Sequence, residues 1–138
     1  MIAFDTDVLT GILIGKPTFV ERAAKISVHN QTVPVIVIEE IIRGRLNVVR
    51  QAESGKAKIS LERAYELFER TFRDFQTLKV LSYTSAAEQR YNDWRKQKVR
   101  VATHDLRIAA ICVAHNVTLI SRNRRDYEQI PGLAVEFW

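Results

Sequence analysis

Residues 103–126 read THDLRIAAICVAHNVTLISRNRRD. From Asp105 to His115 the apolar residues lie almost all round a helical projection, which predicts a buried helix. VTLIS at 117–121 then reads as a short strand, and the chain turns polar at once through Asn123 and Asp126. A buried helix feeding a short apolar strand belongs to an α/β domain, with helices packed on both faces of a sheet.

Working outward, the same alternation recurs. MIAFD reads as a strand ending on Asp5. TVPVIVIEE at 32–40 holds a second β-rich run through Val33, Val35, Ile36 and Val37, with Glu39-Glu40 opening the next helix. LKVLSY at 78–83 is a third strand, and AVEFW at 134–138 an edge strand. TDVLTGILIG predicts a short helix capped by Thr6 or Asp7, with Gly15 past its end, before Lys16-Pro17 breaks the chain. Residues 18–29 suit a second helix, and IIRGRLNVVRQAES a third. Residues 60–77 place Leu61, Ala64, Tyr65, Leu67, Phe68, Phe72 and Phe75 near helical spacing between charges. Ser85 with Glu88 three residues on reads as a capping box. No repeat or long linker interrupts the chain, so 1–138 is read as a single domain, a three-layer α/β/α sandwich around a mainly parallel sheet.

The composition agrees with a globular domain: 138 residues, 46% hydrophobic and 27% charged. Cys112 sits alone in an apolar run, as a small buried hydrophobe does. The first residues lack the basic start and apolar stretch of a signal peptide, and no window is long enough for a membrane span. A cytoplasmic protein without a membrane partner is expected. The net charge of +5 favours an anionic partner, nucleic acid first. Its basic residues gather in RGR at 43–45, RKQKVR at 95–100 and SRNRRD at 121–126.

In a parallel sheet, sites form beyond the carboxyl ends of the strands. Asp5 ends the first strand, Glu39 and Glu40 follow the second, and Asp105 opens the buried helix with Thr103 available as its cap. Asn123 and Asp126 follow the fourth strand. Each acid has an ordinary use as a cap or first-turn charge, and the spacing does not say whether Glu39 or Glu40 points inward. His29, His104 and His115 lie near helix ends, where an exposed imidazole is ordinary. No Ser-His-Asp arrangement and no cysteine–histidine cluster is present. Several carboxylates brought together stay ionised only beside a cation. Oxygen ligands suit Mg²⁺ or Mn²⁺, which activate water against a phosphodiester. Arg43, Arg122, Arg124 and Arg125 are placed to hold an anionic backbone.

Four stretches, FDTDVLT at 4–10, VIVIEEIIRG at 35–44, THDLRIAAICVAHNVTLISRNRRDYEQIPGL at 103–133 and the tail VEFW, resemble the PIN-domain ribonucleases. Among these, the chain is most like the VapC-type toxins of toxin–antitoxin modules. The resemblance implies an endoribonuclease dependent on Mg²⁺, with Mn²⁺ able to substitute, in which metal-activated water attacks a phosphodiester of RNA. It implies a homodimer, and neutralisation by a small antitoxin gripped near 40–77, where Tyr65, Phe68, Phe72 and Phe75 form a groove or simply core. By position, Asp5, Glu40 and Asp105 match the metal-site acids, which prefers Glu40 over Glu39, and Asp126 completes the catalytic set. Asn123 stands where many relatives carry aspartate, and supports the site through its carbonyl. Thr6 and Asp7 are supporting residues, Thr6 as helix cap. Two alternatives remain: a PIN-like scaffold that binds RNA or protein without cutting, and a haloacid-dehalogenase-like phosphatase with Asp5 as nucleophile and Asp7 as acid–base. Leu9 and the lack of a later paired acidic motif depart from the second.

Overall fold

The computed structural model describes residues 1–138. Strands β1 (Ile2–Phe4), β2 (Gln31–Pro34), β3 (Val80–Leu81), β4 (Thr118–Ser121) and β5 (Val135–Phe137) form one sheet in the order β3-β2-β1-β4-β5. Every neighbouring pair is parallel, with Ile2 opposite both Gln31 and Thr118. The crossovers are helical: α1 (Thr6–Leu13) and α2 (Pro17–Ala24), α3 (Val35–Glu53) and α4 (Leu61–Phe75), α5 (Ser85–Lys96) and α6 (Thr103–Ala114), then the single-turn α7 (Arg124–Tyr127). Strand order runs outward from β1 through β2 to β3, then restarts on the other side of β1 with β4. The carboxyl ends of β1 and β4 therefore flank the point where strand order reverses, where such sheets open a crevice.

The expected buried helix is α6. Leu106 and Ile108 through Cys112 are buried, and Ala109 and Ala110 let its backbone lie close to its neighbours. With Val8, Leu9, Val33, Val37, Trp94, Leu119 and Ile120 it forms the core. Each fully buried aliphatic of this size is worth roughly 1.5–3 kcal/mol. Burial pushes the Cys112 thiol up, so it stays an inert apolar side chain. No helix is long and apolar enough to cross a membrane.

Several local expectations need correction. Val35, Ile36 and Val37 are helical, not strand. Pro34 occupies the N-cap position of α3 with extended backbone, and Val37 and Ile41 then repeat at helical spacing into the core. Burial of one face outweighs the β preference of the valines and isoleucines. Glu39 and Glu40 consequently lie in the second turn of α3 instead of opening it. The helix expected over 18–29 stops at Ala24 and is followed by one 3₁₀ turn, Val28–Asn30; Pro17 starts it, as its fixed φ allows at the first helical position. The third strand shrinks to two residues. At α5 the cap is Thr84, whose hydroxyl accepts from the Ala87 amide at 3.2 Å, and Glu88 accepts instead from the Tyr83 hydroxyl. Thr103 does not cap α6; Ala102 holds that position with no side-chain bond, and the Thr103 hydroxyl accepts from Arg95. Helix α7, a single turn, is too short for apolar spacing to announce it.

Candidate active site

Asp5 follows β1 directly. Its amide donates to Ile120 O at 2.9 Å, which holds the end of β1 against β4. Asp5 itself, not Thr6 or Asp7, occupies the N-cap of α1, and its Oδ1 accepts from the Thr6 amide at 2.8 Å. Ser121, which ends β4 beside it, donates its hydroxyl to Asp5 Oδ2 at 2.7 Å. The residue is 6% exposed. Burial, together with the charges of Asp105 and Asp7 and despite these donors, raises its pKa to about 6.

Thr6 turns its hydroxyl to Glu40 Oε2 at 3.3 Å, linking α1 to α3. Glu40 is the inward member of its pair. Glu39 stays at the rim, where it pairs with Arg43 at 2.6 Å. The other Glu40 oxygen, Oε1, is buried with no hydrogen-bond partner. His104, half-buried, lies between the two acids, its Nε2 3.7 Å from Glu39 Oε1 and its Nδ1 3.8 Å from this Glu40 Oε1, both too long for hydrogen bonds. Burial first, then the Asp105 charge, raises the Glu40 pKa, with His104 opposing.

Asp105, in the first turn of α6, is held from two sides. The Tyr127 hydroxyl is 3.4 Å from its Oδ1, and Asn123 Nδ2 is 3.4 Å from its Oδ2. Burial, then the charge of Asp126, raises its pKa. Asn123 also donates to Asp126 Oδ2 at 2.9 Å, while its own Oδ1 caps α7 by accepting from the Asp126 amide at 3.3 Å. The carbonyl expected to support the site is thus committed to the helix cap, and the amide nitrogen faces the acids. An oxygen in that place would oppose two carboxylates.

The structure therefore brings Asp5, Glu40, Asp105 and Asp126 around the carboxyl ends of β1 and β4. No three His, Cys, Asp or Glu side chains are drawn close enough to grip one ion as they stand. Neutral donors, Thr6, Ser121, Asn123 and Tyr127, lie between the acids. Asp7 is exposed and bonds to no site residue, acting on Asp5 and Asp105 only through its charge. Arg43 borders a groove of about 580 Å³ shared with Glu40, Gly44, Asn47, Arg50 and His104. Arg122 lies over the Phe19 ring, and Arg124 over Phe137 while pairing with Glu128 at 2.7 Å. Arg125 is exposed.

Two further residues of the site, Ser121 and Tyr127, are not singled out by the sequence. Ser121 ends β4 just as Asp5 ends β1, and the parallel pairing of those strands is the signal that could have found it. Tyr127 carries a weaker one, as the aromatic directly after Asp126.

A parallel sheet in this order, with acids gathered at its reversal point, defines a class. The chain belongs to the PIN-domain family: the PIN domain profile matches residues 2–133. Ribonuclease VapC1 from Rickettsia felis is 31% identical over 100 residues, 72% of this chain and 70% of that protein. The likeness to VapC-type ribonucleases read from the sequence therefore holds, and the phosphatase alternative lapses. The fold also matches FitAcB from Neisseria gonorrhoeae, with a TM-score of 0.79 at 19% identity over 98% of this chain and 96% of that one. VapBC2 from Rickettsia felis, solved bound to a promoter DNA fragment, gives 0.75 at 21% over 100% and 99%.

Proposed function

We propose that this chain is a divalent-metal-dependent endoribonuclease, the toxin of a VapBC-like pair, with its site built by Asp5, Glu40, Asp105 and Asp126. The observation that carries the reading is the buried Glu40 Oε1, which accepts no hydrogen bond although His104 Nδ1 stands 3.8 Å away, near Asp5 and Asp105, whose carboxyls burial and mutual repulsion make reluctant to ionise. An all-oxygen donor set with an orphaned acceptor and surplus negative charge fits a hard cation, Mg²⁺ with Mn²⁺ as substitute. Asp5, Glu40 and Asp105 would hold it. Once bound, the cation neutralises charge on a phosphodiester and acidifies water.

The chain's own residues do the positioning. Ser121 and the Thr6 amide fix Asp5, the Thr6 hydroxyl orients Glu40, and Tyr127 and Asn123 hold Asp105. Arg43 at the groove, with Arg122, Arg124 and Arg125 on either side of Asn123, supplies positive charge to draw the RNA backbone toward an otherwise repulsive pocket. A small antitoxin as partner is supported by the toxin–antitoxin complexes among the structural relatives. Homodimerisation and a cytoplasmic location are carried with this reading.

The test is cleavage of RNA by purified protein in Mg²⁺ or Mn²⁺ and in chelator, beside Asp5→Asn and Asp105→Asn. Cutting that needs the metal and is lost in both variants supports the reading; cutting by both variants at the wild-type rate sinks the site assignment. A second reading, a scaffold that binds RNA or protein without cutting, is favoured by one observation: neutral donors already stand between the acids. RNA that is bound but left intact with either metal would favour it.

A further inference from the structure

Helices α1, α3 and α4 enclose a second recess, of about 200 Å³, outside the acidic crevice. Three guanidinium groups line it, Arg45, Arg63 and Arg70, against the single carboxylate of Asp74. Arg63 has a partner in Glu66 at 3.0 Å, but both ends of that pair are more than half exposed. Arg45 and Arg70 take part in none of the chain's ion pairs. Arg45 spends only its Nε, donating at 2.9 Å to the buried Thr71 hydroxyl, which itself donates to Leu67 O. That bond fixes the guanidinium plane and leaves both terminal nitrogens free to donate. Like charges gathered in a walled recess are screened less than in open water, and an anion relieves their repulsion. A guanidinium fork matches phosphate oxygens in pairs.

One wall of the recess faces toward the acids, because Arg45 is shared with a second groove. Arg45 also lines the groove that begins at Glu40 and passes Thr6, Thr10 and Gly44. Glu40 and Arg45 lie five residues apart on α3, about 7.5 Å along its axis. A polyanion meets repulsion at Asp5, Glu40 and Asp105, so a strand that must place a phosphodiester there needs an anchor for its charge close by.

We propose that the Arg45–Arg63–Arg70 recess is a phosphate subsite for the single-stranded RNA substrate, holding a backbone phosphate away from the one that reacts. The inference rests on the ribonuclease reading above. Arg45 presents its terminal nitrogens to the phosphate, Arg63 and Arg70 close over it, and Thr71 keeps Arg45 in plane. The recess adds affinity without touching the reacting atoms.

The test is fluorescence anisotropy of the full chain with a labelled single-stranded RNA oligonucleotide of mixed sequence, in chelator so that nothing is cut. Arg63→Ser/Arg70→Ser should weaken binding by about tenfold or more. It should also flatten the dependence of log affinity on log salt by about 0.7, the share of one neutralised phosphate on a single strand. The charge-matched control Lys79→Ser/Arg90→Ser, just before β3 and on α5, should change affinity by less than about twofold. In Mg²⁺, the first variant should raise KM and leave kcat unchanged. Wild-type affinity and salt slope in that variant overturn the subsite, as does an equal loss in the control. Displacement of the RNA by polyglutamate as effectively as by unlabelled polyuridylate also overturns it, marking the recess as a seat for an acidic protein segment. A wild type that neither binds nor cuts RNA removes the ribonuclease reading and the subsite together. A wild type that cuts, beside a variant that binds equally well, removes the subsite alone.

Discussion

The hydroxyl of Tyr127, buried beneath the crevice, stands 3.3 Å from Oδ1 of Asp5. The same oxygen is 3.4 Å from Oδ1 of Asp105. It carries one proton for two acceptors, and so sets the spacing of the two acids from below, on the side away from solvent. Tyr127→Phe keeps the ring packing and removes only this link. Loss of a group that orients a metal ligand commonly costs 10–100-fold in affinity or activity. We expect Mn²⁺ affinity, read by electron paramagnetic resonance, to fall by about that factor. The fold should lose only about 1 kcal/mol, because Asp5 Oδ1 keeps the Thr6 amide. Unchanged Mn²⁺ affinity would show that the hydroxyl plays no part in setting the site.

Asn123 plays the corresponding role between Asp105 and Asp126, with an amide where a carboxylate would raise the local charge. Asn123→Asp retains a good N-cap for α7 but sets a third acid against two. The metal-free variant should unfold at a lower temperature than wild type, and saturating Mg²⁺ should raise its Tm by more than it raises that of wild type. Differential scanning fluorimetry with and without Mg²⁺ decides this; equal shifts in the two proteins would contradict it.

The sequence exposes the site's acids better than its geometry. Asp5 and Asp105 are legible because a short apolar run ends, and a buried helix begins, on an acid; Glu40 is not, since α3 starts at Val35 and only the family resemblance prefers it over Glu39. The segment from Val35 to Ile38 misleads because β-branched residues favour strands locally, whereas its helix depends on where Val37 and Ile41 find the core. Asn123 is legible as a polar residue after a strand. The direction of its amide depends on Asp105, 18 residues away, and on α7, a helix too short for periodicity to reveal. Ser121 and Tyr127 become site residues only through the parallel pairing of β1 with β4 and the burial of α7 under the acids. Such links across the fold leave no local pattern.

The acids also set a pH dependence. Asp5 has a folded-state pKa of about 6 against an ordinary 3.8, so between those values the folded chain holds a proton that the unfolded chain has lost. The stability from this group is fully present below about pH 3.8 and is lost as pH rises through about 6. The displacement corresponds to about 3 kcal/mol. Glu40 and Asp105 are shifted in the same direction. Asp5→Asn should therefore stabilise the metal-free protein at pH 7 and flatten its stability between about pH 4 and 6. Urea unfolding in chelator across that range tests it; a wild type that loses no stability relative to the variant as pH rises from about 4 to 6 would refute it.

Two helix glycines should respond oppositely to alanine. Intrinsic propensity alone gives both substitutions up to about 1 kcal/mol of stabilisation. At Gly44, on α3, an added Cβ meets nothing within 4 Å, so the gain should be realised. That carbon would nonetheless stand in the groove between Glu40 and Arg45, and KM for RNA should rise while kcat holds. At Gly11, on α1, the Cβ would lie 2.2 Å from Cδ2 of Phe19, a ring buried between α1 and α2. Relieving that overlap means moving α2 or rotating the ring, and overpacking of this kind costs about 1–3 kcal/mol. Gly11→Ala should therefore lower Tm while Gly44→Ala raises it. Thermal unfolding of the two variants side by side checks the packing of α2 on α1: a Gly11→Ala protein as stable as Gly44→Ala would mean that Phe19 does not sit against Gly11.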